Sequence, residues 1–168
     1  MKIALITMHW ANNYGASLQT FATIKVLERY RDVTLLHYRN AHAAKGMQVI
    51  RWGIKPRDVL RMAKDLFRLV PRARVIGKFE AFTRTLPLSE RLTTNQTFQA
   101  LENRFDAFVC GSDQIWNPAI VSETNTLDTH FLLDFVTDKP RLSYASSMGT
   151  YVYNSQQAEE VRRCLSRF

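Results

Sequence analysis

A chain of 168 residues, 46% apolar and 23% charged, is one ordinary domain in size and has the composition of a soluble globular protein. No run of eighteen apolar residues supplies a membrane helix. The net charge of +8 is local: from Lys45 to Arg84 eleven Lys/Arg face three Asp/Glu, while the remainder has twelve of each sign.

The opening MKIALITMHW has one lysine and a short apolar stretch, but it lacks a small-residue cleavage site and runs into an Asn/Gly loop. That argues against a signal peptide and makes the cytosol the default location. Lys2 to Met8 predicts a buried strand, HWANNYG a loop, and Ala16 to Tyr30 an amphipathic helix with Leu18, Phe21, Ala22, Ile24 and Leu27 at helical spacing. Val33 to Tyr38 reads as a second strand. Strand, turn, helix and strand within forty residues make a βαβ unit, and such units build parallel sheets with right-handed crossovers.

Asn40 to Lys55 has Gly46 and Gly53 and no clean period, which predicts a loop. Pro56 suits the first turn of a helix running to about Val70. On it Val59, Ala63, Leu66 and Val70 form one stripe, while Arg57, Arg61, Lys64 and Arg68 recur on the opposite side. Pro71 is expected to break this helix before a second one, Arg72 to Thr83. Leu86 to Leu92 reads as a connector, and Thr94 as the cap of a short helix ending near Arg104. Phe105 to Cys110 is then a third strand, Thr129 to Phe135 a fourth and Arg141 to Ser146 a fifth. Ser155 is expected to cap a last helix. The fold class is therefore α/β, a Rossmann-like three-layer domain with a mainly parallel sheet over residues 1–168. Two distant cysteines, Cys110 and Cys164, form neither a disulfide framework nor a metal-ligand spacing, and no metal site is expected.

Ligands of an open parallel sheet sit outside the carboxyl ends of its strands. Three predicted loops occupy that position: His9 to Gly15, Gly111 to Pro118 and Ser146 to Gly149. HWANNYGASLQ has a single glycine and no lysine, so it matches neither common phosphate-loop pattern, and Asn12 or Asn13 as a plain helix cap is the simpler reading. GSDQIWNP reads either as a ligand loop or as an Asx-type turn with Trp116 plugging the sheet edge. His9 alone is a bystander more often than a base.

YGASLQTFA after a strand, FDAFVCGSDQIWNP, then FLLDF and SYASSMG, in that order and spacing, closely resemble the N-terminal half of the polysaccharide pyruvyl transferase family. The resemblance runs from Met1 to about Gly149, with GSDQIWNP its most specific block. It implies transfer of a pyruvyl group from phosphoenolpyruvate to sugar hydroxyls of a cell-surface polysaccharide or its lipid-linked precursor. It also implies the acceptor-side half of a GT-B-like two-domain transferase, with the donor gripped largely by a C-terminal half. Family members continue for about as many residues again. This chain stops in the helix after SYASSMG, so a domain fragment, a truncated frame or a partner-dependent subunit is expected, inactive without a C-terminal half. No cofactor beyond the phosphoenolpyruvate donor is implied.

If the family chemistry operates, a carboxylate must accept the proton of the attacking hydroxyl, and Asp113 is the acid available in the three loops. An Asp that accepts amides of its own turn would be a poor base, so the structural reading stays open beside the catalytic one. Asn12, Asn13, Ser112, Gln114, Asn117, Ser146 and Ser147 offer donors and acceptors to sugar hydroxyls. Tyr14 or Trp116 suits a pyranose face, and Gly15, Gly111 and Gly149 permit close backbone approach. Arg57, Arg61, Lys64 and Arg68 fit either peripheral contact with an anionic membrane or a solvated face above aliphatics packed on the sheet. Nucleic acid is not expected, since the basic segment carries no reader motif. A non-catalytic module binding carbohydrate or anionic surfaces is the alternative, and a sticky flank favouring homo-oligomers goes with a half-protein.

Overall fold

In the computed structural model the apolar runs of the sequence become the strands of one sheet. The structure describes residues 1–168 apart from 51, 52, 54, 55, 93 and 94, and within these all side chains apart from 56, 61, 95 and 96. The predicted cap at Thr94, the end of the predicted loop at Lys55 and the side chain of Arg61 lie outside the described residues. In chain order the elements are β1 (Lys2–Ile6), α1 (Tyr14–Glu28), β2 (Asp32–Tyr38), α2 (Ala41–Ala44), a 3-10 turn (Lys45–Met47), α3 (Pro56–Phe67) and α4 (Leu69–Thr83). They continue with β3 (Leu88–Leu92), α5 (Asn95–Gln99), β4 (Ala107–Asp113), α6 (Pro118–Val121), a second 3-10 turn (Thr129–Leu132), β5 (Arg141–Ser146) and α7 (Ser155–Leu165).

The sheet has the order β3-β2-β1-β4-β5, and every pairing is parallel. Helices flank both faces, which makes the domain a three-layer Rossmann-like α/β fold. On one face Ile3, Leu5, Val33, Leu35 and Val109 pack against Ile24 and Leu27 of α1 and Phe82 of α4. On the other, Ala4, Ile6, Leu36, Phe108 and Cys110 meet Phe98, Leu101, Ile115, Val121 and Phe131. Because both faces are covered, β1 and β4 read as continuous apolar runs rather than alternating ones. The chain moves from β1 outward to β3 and then returns beside β1 as β4, so the direction of winding reverses between β1 and β4. That reversal opens a crevice outside the carboxyl ends of the two strands.

Several local expectations are corrected. Thr129 to Phe135 is no strand: Asp128 Oδ1 accepts from the His130 amide at 3.2 Å and starts the 3-10 turn, and Leu133 at φ 53° ends it. Its apolar run is equally compatible with a buried turn, since a short run has no diagnostic period. Leu86 to Leu92 is more than a connector: Leu88–Leu92 forms the edge strand β3, with Pro87 just outside the ladder, where its missing N–H costs no bond. The break between α3 and α4 falls at Arg68, and Pro71 sits inside the first turn of α4, where an amide has no partner to lose. The loop after Asn40 contains α2 and a 3-10 turn, with Asn40 Oδ1 accepting from His42 and Ala43. Asn154, not Ser155, caps α7: its Oδ1 accepts from Gln157 N at 2.9 Å while Gln157 Oε1 accepts from Asn154 N at 3.1 Å. Finally, β4 does not stop at Cys110 but runs through Gly111 and Ser112 to Asp113.

Helix α3 turns its Asp58, Met62 and Asp65 side inward, while Arg57, Lys64 and Arg68 stay exposed. Asp65 is only 3% exposed, with Arg72 Nε at 4.0 Å, and Asp58 and Met62 on the same side are half-buried. The stripe of Val59, Leu60, Leu66 and Phe67 faces solvent, Phe67 being 93% exposed. The aliphatic side therefore does not pack on the sheet.

Candidate functional site

At the crevice the backbone must stop pairing, and the sequence fills the gap with side-chain hydrogen bonds. Thr7 follows β1, Gln19 lies in the second turn of α1 and Ser112 near the end of β4. Gln19 Nε2 donates to Thr7 Oγ1 at 2.8 Å, while its Oε1 accepts from Ser112 Oγ at 2.5 Å and from Ser112 N at 3.3 Å. Thr7 Oγ1 in turn reaches the Ser112 carbonyl at 3.4 Å. One amide side chain thus ties β1, α1 and β4 together at the point where the sheet reverses. Gln19 and Ser112 also line a groove of about 460 Å³ together with Thr23, Val26, Leu142 and Tyr144.

The loops after β4 and β5 are joined directly. Ser147 N donates to the Asp113 carbonyl at 3.0 Å, and Trp116 N donates to the Ser147 carbonyl at 3.2 Å. Ser146 Oγ donates to the Cys110 carbonyl at 3.2 Å. Gly111 sits at φ 122°, and a Cβ there would collide with the Tyr144 carbonyl. Gly149 sits at φ 60°, where a Cβ would strike the Gln114 amide. Gly111 needs glycine because β4 and β5 approach so closely there, while Gly149 uses a left-handed turn beside the movable Gln114 side chain.

Each predicted residue has a definite place. Asp113 is exposed at φ 86°, and its Oδ1 accepts from Gln114 N at 2.7 Å within its own turn. Among the described residues Oδ2 has no partner. Gln114 Oε1 accepts from Asn117 Nδ2 at 3.0 Å, and Asn117, 7% exposed, uses its Oδ1 to cap α6 through Ala119 N at 3.0 Å. Trp116 is wedged in the core: its indole N–H donates to the Phe131 carbonyl at 3.0 Å, and its own carbonyl accepts from Tyr153 Oη at 2.7 Å. Asn13 caps α1, its Oδ1 accepting from Gly15 N at 2.8 Å and Ala16 N at 3.3 Å.

Tyr14 is 71% exposed with its ring 4.8 Å from that of Phe79. Asn12 lines a surface hollow with Arg68, Arg72 and Val75 on the α3–α4 side. The structure therefore gathers Gly111, Ser112, Asp113, Gln114, Trp116, Asn117, Ser146, Ser147 and Gly149 into one rim. Asn12 and Tyr14 on the neighbouring loop face α4, and Asn13 and Gly15 belong to the cap of α1.

Both thiols are buried. Burial pushes Cys110 up to about 12 and also raises Cys164, so both stay protonated. His9 is 2% exposed, and its Nδ1–H donates to the Thr7 carbonyl at 3.1 Å. Burial, only partly offset by that bond, lowers its pKa to about 4. The ring is neutral at pH 7.

The family model for polysaccharide pyruvyl transferase matches residues 13–168. The chain belongs to the polysaccharide pyruvyl transferase family. No curated protein and no solved structure matches it. The family match begins at the α1 cap, so β1, Thr7, His9 and Asn12 precede it, while Gln19, GSDQIWNP and SYASSMG fall inside. It extends past Gly149 through α7, further than the motif-bearing segment.

For a polysaccharide pyruvyl transferase the general function is transfer to a polysaccharide acceptor. Sequence reasoning missed Thr7 and Gln19 in this member of the family. The available signal was a glutamine on the inner side of an otherwise small-residue stretch of α1, but its partner lies ninety-three residues away. Among the described residues no helix is long and apolar enough to cross a membrane.

Proposed function

We propose that this member of the family supplies the acceptor side of a transferase that moves a pyruvyl group from phosphoenolpyruvate to a sugar. The acceptor is a cell-surface polysaccharide or its lipid-linked precursor. The donor's enol carbon gains a proton and becomes a methyl carbon, two sugar hydroxyls add to the neighbouring carbon, and phosphate leaves. Of the two hydroxyl protons, one balances the new methyl group and the other leaves with phosphate. Asp113 is the base that takes the first proton: its free Oδ2 is exposed on the rim beside Ser112 and Ser147. Gln114, Ser146 and Ser147 shape a hydroxyl-binding edge held from behind by Asn117, with Asn12, Asn13 and Tyr14 flanking it. In a GT-B-like arrangement a donor-side domain faces this rim across a cleft.

The observation that carries this reading is the rim at the winding reversal, built by residues that fall inside the family match. Phosphate release from phosphoenolpyruvate with acceptor sugars tests it, assayed with the chain alone and with a C-terminal half from a complete family member. Release that depends on both the acceptor and the supplied half is expected. No release under either condition rejects the transferase and leaves the non-catalytic binding module.

The α3 surface favours a peripheral membrane site on the cytoplasmic side. A solvent-facing apolar stripe beside Arg57, Lys64 and Arg68 matches an anionic bilayer, which holds a lipid-linked acceptor.

A further inference from the structure

At the carboxyl ends of β2 and β3 the fold crowds cations together. The parallel register sets Arg91 beside His37. Arg39 lies with its guanidinium carbon 3.4 Å from the centre of the Trp10 ring, and its Nε–H donates to His37 Nε2 at 2.9 Å. That bond fixes the tautomer of His37: Nε2 accepts, so the ring proton is on Nδ1, where it is a donor. Burial first, and then the charges of Arg91 and Arg84, hold Arg39 below its ordinary pKa, and Glu80 opposes them. Glu80 is itself shared with Arg84, at 3.6 Å. Among the described residues no acceptor meets the terminal nitrogens of Arg39, and Arg91 has no ion-pair partner.

Beside them lies His9, its ring centre 5.8 Å from that of His37. With Nδ1–H given to the Thr7 carbonyl, its buried Nε2 is a bare acceptor without a partner. A folded protein leaves few such atoms unsatisfied. The cluster therefore offers guanidinium N–H groups from two arginines, one imidazole N–H and one buried acceptor, all at the ligand-binding edge of the sheet.

We infer that His37, Arg39 and Arg91, with His9 behind them, form a phosphate-ester site. A tetrahedral phosphate has the oxygens to use N–H donors arriving from three side chains, and its charge relieves the repulsion between the two arginines. The His9 acceptor fits a hydroxyl next to the phosphate, as in a sugar phosphate. Trp10 holds the Arg39 plane in place from below. The site lies beyond the β4–β5 rim, on the other side of the winding reversal. It extends the acceptor-side reading but does not depend on it, because binding is read without turnover.

The test is calorimetric titration of the full chain with inorganic phosphate, glucose 1-phosphate and phosphoenolpyruvate. Saturable binding is expected, weakened at least tenfold in Arg39→Gln and in Arg91→Gln and unchanged in the exposed control Arg74→Gln. Arg91 is an exposed residue of an edge strand, so its variant keeps the fold even where Arg39→Gln does not. Tightest binding of glucose 1-phosphate identifies the acceptor's phosphate as the occupant, and tightest binding of phosphoenolpyruvate identifies the donor's. No saturable binding at ~10 mM, well above the millimolar range of weak single-ion sites, overturns the proposal. Equal weakening by Arg74→Gln and Arg91→Gln also overturns it, since that is the behaviour of diffuse charge.

Discussion

Ser112 Oγ lies 2.5 Å from Gln19 Oε1, and the same glutamine donates through Nε2 to Thr7 Oγ1 at 2.8 Å. One side chain thus bridges two strands whose loops form the crevice, and it holds Ser112 against α1 rather than free in the loop. Gln19→Leu keeps the volume and deletes all three bonds to Thr7 and Ser112, leaving two hydroxyls and the Ser112 amide short of a partner. A loss of ~1–3 kcal/mol in urea unfolding is expected, with Ser112→Ala costing ~1 kcal/mol because it removes a single partner. If Gln19→Leu unfolds at the wild-type midpoint, the bridge contributes nothing.

Asp113→Asn tests the proposed base. Asn tolerates the positive φ of 86° and can still accept the Gln114 amide, so the turn is expected to survive. Turnover with a supplied C-terminal half is expected to fall by ~10²–10⁴-fold, the usual range for removing a general base. Near-normal turnover removes Asp113 from the mechanism.

Gly111→Ala is expected to be the most damaging small substitution on the rim. Its φ of 122° is closed to residues with a Cβ, and the added methyl meets the Tyr144 carbonyl rather than a movable side chain. Gly149→Ala meets only the Gln114 amide, which can swing aside, so its cost is expected nearer ~1 kcal/mol. Denaturation midpoints of the two variants give the order, and a reversed order contradicts the β4–β5 approach described above.

His9 sets a pH dependence. Its folded pKa of about 4 lies below its ordinary 6.5, so between these values the unfolded chain binds a proton that the folded chain excludes. The stability is fully present above about pH 6.5 and is lost as pH falls toward 4, by roughly 3 kcal/mol in total. His37 is lowered for the same reason, burial first and then Arg39 and Arg91, and adds to the slope. Comparing urea midpoints of wild type and His9→Gln from pH 7 to pH 4.5 isolates the His9 share. Parallel curves would show that His9 takes up its proton in the folded state as readily as in the unfolded chain.

Helix α3 carries the membrane prediction. Sedimentation with phosphatidylglycerol liposomes is expected to retain the protein. Joint neutralisation of Arg57, Arg61, Lys64 and Arg68 should release it, as should raised salt, because each basic residue near an anionic surface contributes ~1 kcal/mol. Phe67→Ser removes the most exposed large apolar group among the described residues and is expected to weaken retention without lowering stability. Retention unchanged in both variants rejects the surface.

The βαβ start, the buried strand before GSDQIWNP and the strand Arg141 to Ser146 were legible because each alternates or saturates apolar positions over a full element length. The family was legible from ordered motif blocks. The Thr129 to Phe135 segment was misread because Phe131, Leu132 and Leu133 are buried in a turn as fully as a strand would bury them. β3 was misread because an edge strand needs only one apolar face, and LSERL shows little of it.

The sequence by itself determined the class of fold, the family, the polar character of the loops after β1, β4 and β5, and the placing of excess charge in one segment. Fold class, loop polarity and charge placement follow from local periodicity and residue type, which need no knowledge of neighbours, and the family follows from the resemblance of its ordered motif blocks. The tertiary structure alone decided that Gln19 clamps Ser112, that Asn117 and Trp116 are tied into the core, that α3 faces its apolar stripe outward, and that His9, His37, Arg39 and Arg91 meet. Parallel strand register and helix rotation bring residues dozens of positions apart within hydrogen-bond reach, and no local pattern encodes that pairing.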